Sequence, residues 1–462
     1  MSSVGATSSD ARARRWIIQP ARAPLRGVLR VVGDKSISHR ALILGALATG
    51  ESELRGLSAG ADVAATRTAL EAMGVSMRDD TDGALRVLGQ GLGGLRANGP
   101  LRVDCGNAGT AMRLLAGLLA AQSFDSVLVG DASLSRRPMG RVTRPLRARG
   151  ARIEGSIEPG ARDETAPLTI RGLRDGARLF ATEVALPFPS AQVKSCLLLS
   201  GLFADGPTDV REPTLSRDHT ERMLSAMGAP IRTMGAACRL DPTGWDGVLA
   251  PLRIAIPGDA SAGAFWAAAA NVVPGSRLRV RDVGVNPTRA GFVEVLRDQG
   301  GGVAVVPRGE RGGEPVGDLV VVHGDGLRRG ARVGGELAAR CIDEVPALVA
   351  AAAVSPGESV FEDLAELRVK ESDRLAALAS MLRSFGVTHA ESASGLRVLG
   401  GRPRGGAMVD AAGDHRIAMA AAVLALAADG PTTIDDVSNV ATSDPYFVAT
   451  LRGLGVELAE VP

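Results

Sequence analysis

Two apolar patterns alternate along the chain. In the first, apolar residues recur at helical spacing and the run stops at a glycine, four positions after a leucine. The pairs are Leu70/Gly74, Leu146/Gly150, Leu224/Gly228, Leu296/Gly300, Leu382/Gly386 and Leu451/Gly455, and the glycines lie 69 to 86 residues apart. A glycine just past a last helical turn supplies the left-handed cap that a residue with a Cβ resists. Apolar residues after it, such as Val387 and Val456, read as strand starts. In the second pattern a turn of small or polar residues leads into an alanine-rich run that is apolar nearly all round. These runs are 36–48, 109–121, 190–204, 261–271, 343–354 and 415–428. Helices without a polar face must be buried. The chain therefore predicts six copies of one βα-type unit, none able to cover its own apolar face. A single core stops growing near 250–300 residues, so two compact three-unit domains are expected rather than an open array.

Composition narrows this picture. At 462 residues, 45% hydrophobic and a mean hydropathy of +0.11, the chain can build ample core. A net charge of +2 supplies no global field for nucleic acid or an anionic membrane, so neither is expected as a partner. Cys105, Cys196, Cys238 and Cys341 show no C-x-x-C spacing, which favours reduced thiols and a cytoplasmic location. No apolar stretch reads as transmembrane. Residues 1–15, rich in Ser, Ala and Arg, read as a disordered tail, with a very short transit peptide as the alternative.

The chemistry sits where the apolar helices begin. Gly33-Asp-Lys-Ser-Ile-Ser-His-Arg40 puts Lys35, Ser36 and Arg40 at or near a helix N-terminus, where unpaired N–H groups favour an anion. Asn107-Ala-Gly-Thr-Ala-Met-Arg113 opens the second helix with Gly109, which lets a ligand approach the backbone. Ser133-Leu-Ser-Arg-Arg-Pro-Met139 contributes Arg137. Ser190-Ala-Gln-Val-Lys194 offers Ser190 and Gln192 as neutral hydrogen-bonding groups. Asp343 and Glu344 open the fifth helix. In Arg368-Val-Lys-Glu-Ser-Asp-Arg374, Lys370 and Arg374 share a helical face with Glu371 between them, and Asp414-His-Arg416 starts the sixth helix. Singly, each reads as a helix cap or a solvated charge pair. Together they place cations at 35, 40, 113, 137, 370, 374 and 416, near element starts. If two halves face each other, these ends form one cationic cleft for a small substrate bearing phosphate and carboxylate. Asp343 and Glu371 are then the only carboxylates well placed as bases.

These motifs, from about residue 18 to the end, closely resemble the 5-enolpyruvylshikimate-3-phosphate synthase family of enolpyruvyl transferases. The resemblance implies a two-domain inside-out α/β barrel of six βαβαββ units, three per domain, around buried parallel helices. It implies a discontinuous domain of 1–33 plus 257–462, an inserted domain of 34–256, and crossovers near Gly33 and Pro257 that hinge on closure. Carried over by position, Lys35, Ser36, Arg40, Ser190, Ala191, Gln192, Asp343 and Lys370 hold shikimate 3-phosphate. Lys35, Gly109, Arg137, Gln192, Arg374 and Arg416 hold phosphoenolpyruvate. Asp343 is the implied base, and Glu371 or Lys35 the implied proton donor. No cofactor or metal is implied, and the enzyme is expected to be a monomer. The chain departs from the enterobacterial pattern at Ala191, His219, Glu366 and Thr442. The resemblance also implies that glyphosate occupies the phosphoenolpyruvate site near Gly109, with open space where a Cβ would stand. Two alternatives are a sister transferase acting on a UDP-amino sugar and a non-catalytic binding protein on the same scaffold. The first normally has Lys-Asn where Lys35-Ser36 stands, and a cysteine in the loop at 131–141.

Overall fold

The computed structural model describes residues 15–157, 160 and 163–462. Most of the expected tail, residues 1–14, lies outside the described residues, whereas Arg15 already begins strand Arg15–Ile18. Among the described residues, twenty-four strands form six separate four-stranded sheets, so the fold is α/β with six repeats. The second unit shows the plan. Strand Leu101–Asp104 leads into helix Gly109–Leu119 and the parallel strand Ser126–Val129, with Val103 opposite Leu128. Helix Gly140–Ala148 follows, then the antiparallel pair Arg152–Ser156 and Thr165–Arg171.

The two apolar patterns become two kinds of helix. Helix Gly109–Leu119 is buried on every side, as its uniform composition requires. Helix Gly140–Ala148 buries only Gly140, Val142, Thr143 and Leu146, a stripe at helical spacing facing its sheet. All six capping glycines adopt positive φ, from 67° at Gly386 to 96° at Gly150. The expected strand starts slip by one or two residues, to Thr388 and Leu458. Five of the six apolar runs overshoot their helix ends, most at the third helix, Ala191–Gly201, and the sixth, His415–Ala425. The turns that follow are themselves buried, as at Leu202 and Leu426, so hydropathy does not mark the stop.

Two hydrophobic cores result, one from residues 37–256 and one from residues 16–25 plus 260–456. The strands just before the two crossings each stay with their own body. Strand Arg26–Arg30 pairs with Arg277–Gly284, while Arg253–Ala255 pairs with Thr49–Arg55. The two connecting segments run side by side. Asp34 N donates to Pro257 O and Asp259 N to Val32 O, both at 2.8 Å. A Cβ on Gly33 would lie 1.9 Å from Gly56 O, so only glycine fits at this crossing. The N-terminal strand closes the last sheet, lying between Thr432–Asp435 and Leu458–Val461. Among the described residues, no helix is long and apolar enough to cross a membrane. The four cysteines are free and buried, and burial pushes the Cys105, Cys196 and Cys238 thiols up to about 12.

Candidate active site

The buried helices of both halves point N-termini into one cleft. Asp34 caps helix Lys35–Leu47 by accepting from Ile37 N, and Asp259, which caps helix Ala260–Val272, accepts from Lys35 N at 3.1 Å. The Lys35 ammonium is thereby fixed at the crossover and reaches Asp62 Oδ2 at 2.9 Å. Helix Gly109–Leu119 presents Arg113, whose guanidinium donates to Gln192 Oε1 at 2.6 Å. Gln192 in turn donates to Thr110 Oγ1 at 2.8 Å. Arg137 follows the turn Leu134–Arg136, which aims it inward and Arg136 outward.

The opposite wall is built around Asp343. Arg217, from the first wall, pairs with its Oδ2. Arg374 and Lys370 approach its Oδ1 at 3.2 and 3.5 Å, and Arg416 donates to its backbone carbonyl at 2.7 Å. Burial alone would raise the Asp343 carboxyl; the cations, Lys370 foremost, hold it well below the usual range. Glu371 is likewise held low, burial being outweighed by Arg374 and Arg137. The Lys35 ammonium is strengthened, because Asp62 and Glu371 more than offset its burial. Both carboxylates are thus ionised and Lys35 is protonated in the free site.

Of the residues singled out in the sequence, Lys35, Ser36, Gly109, Arg137, Gln192, Asp343, Lys370, Glu371 and Arg416 line one cavity. Arg40 lies one turn behind, donating to Thr220 Oγ1, Ser195 Oγ and Ser36 O. Ser190 caps helix Ala191–Gly201 rather than facing the cavity, and Ala191 sits beside it. Arg374 is fully buried, its guanidinium shared among Asp343, Glu371 and Asp414.

Several local expectations need correction. Asp343 does not open the fifth helix, which runs Val345–Ala352 with Pro346 in its first turn; Asp343 stands in the turn before it. Lys370 and Arg374 do not share a helical face. Lys370 is extended after the turn Ala365–Val369, the helix begins at Arg374, and both converge on Asp343 through space. Nor are Asp343 and Glu371 the only carboxylates present, since Asp62, Asp259 and Glu366 also line the cavity. A Cβ on Gly109 would not meet open space: it would stand 3.0 Å from an Arg137 terminal nitrogen and 3.2 Å from one of Arg113.

Sequence reading missed Asp62, Thr110, Asp259 and Arg289 as cavity residues, and left Arg217 unassigned. Asp259 had a signal. Gly258-Asp-Ala-Ser261 repeats the spacing of Gly33-Asp-Lys-Ser36, and both aspartates cap buried helices. Glu366 accepts from Arg141 at 2.6 Å, and that arginine also lies over the Phe188 ring. Thr442 offers its carbonyl to the close approach of Gly60. Among the described residues no group of histidines, cysteines and acids is arranged to hold a metal.

The cavity measures about 60 Å³, roughly two waters' share of liquid volume. Arg217 reaches across it to Asp343, so an arriving anion competes with that carboxylate for the guanidinium. Seven cationic side chains outnumber the five carboxylates of the lining, which suits a substrate pair carrying phosphate and carboxylate. Known proteins agree. The family model described as EPSP synthase (3-phosphoshikimate 1-carboxyvinyltransferase) matches residues 20–451. A 3-phosphoshikimate 1-carboxyvinyltransferase of Methylococcus capsulatus is 48% identical over 94% of this chain and 96% of its own length. One of Halorhodospira halophila is 49% identical over 96% and 97%. The solved EPSP synthase of Acinetobacter baumannii superposes with a TM-score of 0.84 at 38% identity, covering 97% of this chain and all of that one. With its six-unit fold, its cationic cleft and relatives matched over nearly their whole length, this chain belongs to the EPSP synthase (3-phosphoshikimate 1-carboxyvinyltransferase) family.

Proposed function

We infer that this chain transfers the enolpyruvyl group of phosphoenolpyruvate to the 5-hydroxyl of shikimate 3-phosphate and releases phosphate, a step of the shikimate pathway. The observation that carries the reading is the set of helix N-termini from both halves placing cations around Asp343 and Glu371 in one cavity. Asp343 is the base for the 5-hydroxyl. In the free site it is a weak one; the substrate phosphate competes for Lys370 and Arg217, and their withdrawal restores its proton affinity. The hydroxyl oxygen bonds to C2 of phosphoenolpyruvate while its methylene takes a proton, giving a tetrahedral adduct. Loss of a methyl proton with cleavage of the C–O bond to phosphate leaves the enolpyruvyl ether. Of the two candidate donors, Lys35 is the one protonated in the free site. Glu371 takes the role only when substrate charge lifts its affinity for a proton.

Ser36, Gln192, Asp343 and Lys370 meet shikimate 3-phosphate from the cavity wall, with Arg40, Ser190 and Ala191 behind them. Arg137, Arg416, Lys35 and Gly109 meet phosphoenolpyruvate, and Gln192 lies between the two substrates. Arg374 contributes from behind Glu371. Preorganised guanidinium groups stabilise the carboxylate and the departing phosphate. The two bodies, 1–33 with 257–462 and 34–256, close about the paired crossovers. We take the enzyme to be a monomer in the cytoplasm.

A phosphate-release assay tests this reading. Release is expected with phosphoenolpyruvate plus shikimate 3-phosphate and none with a UDP-amino sugar as acceptor. Release with only the UDP-sugar, or with neither, overturns it.

A further inference from the structure

The loop that carries Arg217 ends in a polar cluster that the transfer chemistry does not use. His219 begins helix His219–Ala226 and is 1% exposed; its Nδ1 lies 2.7 Å from Glu314 Oε1. Glu314, equally buried, belongs to the other half and begins strand Glu314–Val322. Asn286, from the same half as Glu314, donates to Glu314 Oε2 at 3.0 Å and to Asp218 Oδ1 at 2.7 Å. Arg222 completes the ring, donating to Asp218 Oδ2 at 2.9 Å and to Gly313 O at 3.0 Å. Gly312 and Gly313 form the tip of a long hairpin with φ of 57° and 81°. A Cβ on Gly312 would come within 2.5 Å of Ile254 Cδ1, so this tip is seated hard against the 34–256 half.

We propose that this cluster is a latch between the halves that positions Arg217 on Asp343. His219, Asp218, Asn286 and Glu314 are then positioning residues for the shikimate 3-phosphate site. Two side-chain bonds of the cluster cross between the halves: His219 Nδ1 with Glu314 Oε1, and Asn286 Nδ2 with Asp218 Oδ1. Apart, these groups are hydrated; together, they must bond one another, because a buried polar group without a partner is costly. Their bonds therefore form with closure and contribute to it. The loop's near end is tied to its own half: Glu212 accepts from Ser190 N at 2.8 Å, Ser216 Oγ at 2.8 Å and Lys194 Nζ at 2.7 Å. Arg217 is thus held between one anchor in each half, directly before the latch residue Asp218.

The proposal rests on Asp343 lying in the transfer site, and the tests keep the two apart. Glu314→Ala and Asn286→Ala are made in the full chain, alone and with Arg217→Ala. Each alone is expected to lower kcat/KM for shikimate 3-phosphate about tenfold, mainly through KM, the usual scale for coupled neighbours. With Arg217 already removed, each should cost less than about twofold. Equal losses in both backgrounds, or no loss in either, overturn the latch. Should Glu314→Ala fail to fold, Asn286→Ala carries the comparison, since it leaves the His219–Glu314 pair intact. A reading independent of the reaction is amide hydrogen exchange. Asn286→Ala should speed exchange at 217–224 and 312–316, and an unchanged pattern there overturns the latch even if no transfer is ever observed.

Discussion

The two walls of the cavity differ in charge. The wall from 34–256 sets Lys35, Arg113, Arg137 and Arg217 against one carboxylate, Asp62. The facing wall sets Arg289, Lys370 and Arg416 against Asp259, Asp343, Glu366 and Glu371. The first is a surplus of cations in a confined space. Burial, then Arg141 and Arg137, pull the Arg113 guanidinium down to about 10, so this wall is relieved by an arriving anion. The second is close to balanced and holds Asp343 and Glu371, whose carboxyls neighbouring cations keep well below the usual range. The surplus of cations and the two strongly depressed acids therefore sit on different bodies, although the protonated Lys35 belongs to the first and Lys370 and Arg416 to the second. Substitutions on the two walls should then fail in different kinetic terms.

The largest effect expected is from the facing wall. Asp343→Asn keeps the shape of the side chain beside Arg217 and Arg374 and removes the base. Turnover should fall roughly 10²–10⁴-fold while calorimetry still registers shikimate 3-phosphate binding. Near-normal turnover removes Asp343 from the mechanism. On the cationic wall, Arg137→Ala should raise KM for phosphoenolpyruvate by roughly 10–100-fold, the scale of a lost charge-assisted hydrogen bond, with a smaller change in kcat. A loss confined to kcat would erase the distinction between the walls.

A third prediction tests the burden of negative charge in the acidic half. Asp444 is buried, and burial, with Asp259 nearby, pushes its carboxyl up to about 6. The folded value lies above the unfolded one, so ionising Asp444 opposes folding. The penalty is absent below about pH 4 and fully developed above about pH 6. Asp444→Asn should raise the melting temperature at pH 8 and leave it unchanged near pH 4. An unchanged or lower melting temperature at pH 8 overturns this reading, since the asparagine oxygen still accepts from Tyr446 N.

The smallest effect belongs to Gly109→Ala, where the added methyl must push back the ends of Arg137 and Arg113. Such ends yield cheaply, so KM for phosphoenolpyruvate should rise only several-fold. Glyphosate, if it extends towards this Cα as the family resemblance implies, should weaken by about one to two orders of magnitude from overpacking. Equal losses for both would show that the guanidinium shift, not a clash, sets the effect.

What was legible in the sequence followed from local rules. A glycine at a helix end announces a positive φ wherever the chain folds, and all six such glycines could be read directly. Runs such as 109–121 announced burial because they have no polar face. Helix caps were partly legible: Asp414 precedes its helix as read, whereas Asp343 does not, because Pro346 is suited to the first turn and sets the start at Val345. The pairings across the cleft were not legible. Arg217 meets Asp343 at a sequence separation of 126 and Arg289 meets Asp34 at 255, and no periodicity carries such information. Arg374 shows the same limit, since its pattern marks it as a site cation but not that three carboxylates consume its donors.

The discontinuity of the body that pairs Arg15–Ile18 with the far end of the chain bears on how the protein is made. Every sheet of the 34–256 half is complete once Arg253–Ala255 has left the ribosome. Strand Arg15–Ile18 is synthesised first and pairs last. Its neighbours, Thr432–Asp435 and Leu458–Val461, follow more than 400 residues later. Through that interval the nascent chain carries a folded middle and an unpaired leading strand whose Trp16 has yet to reach its stack with Phe447. An open strand edge invites association with other chains. The body containing both termini is therefore the one most exposed to misassembly and most in need of a chaperone, while the inserted body should fold on its own when expressed as residues 34–256.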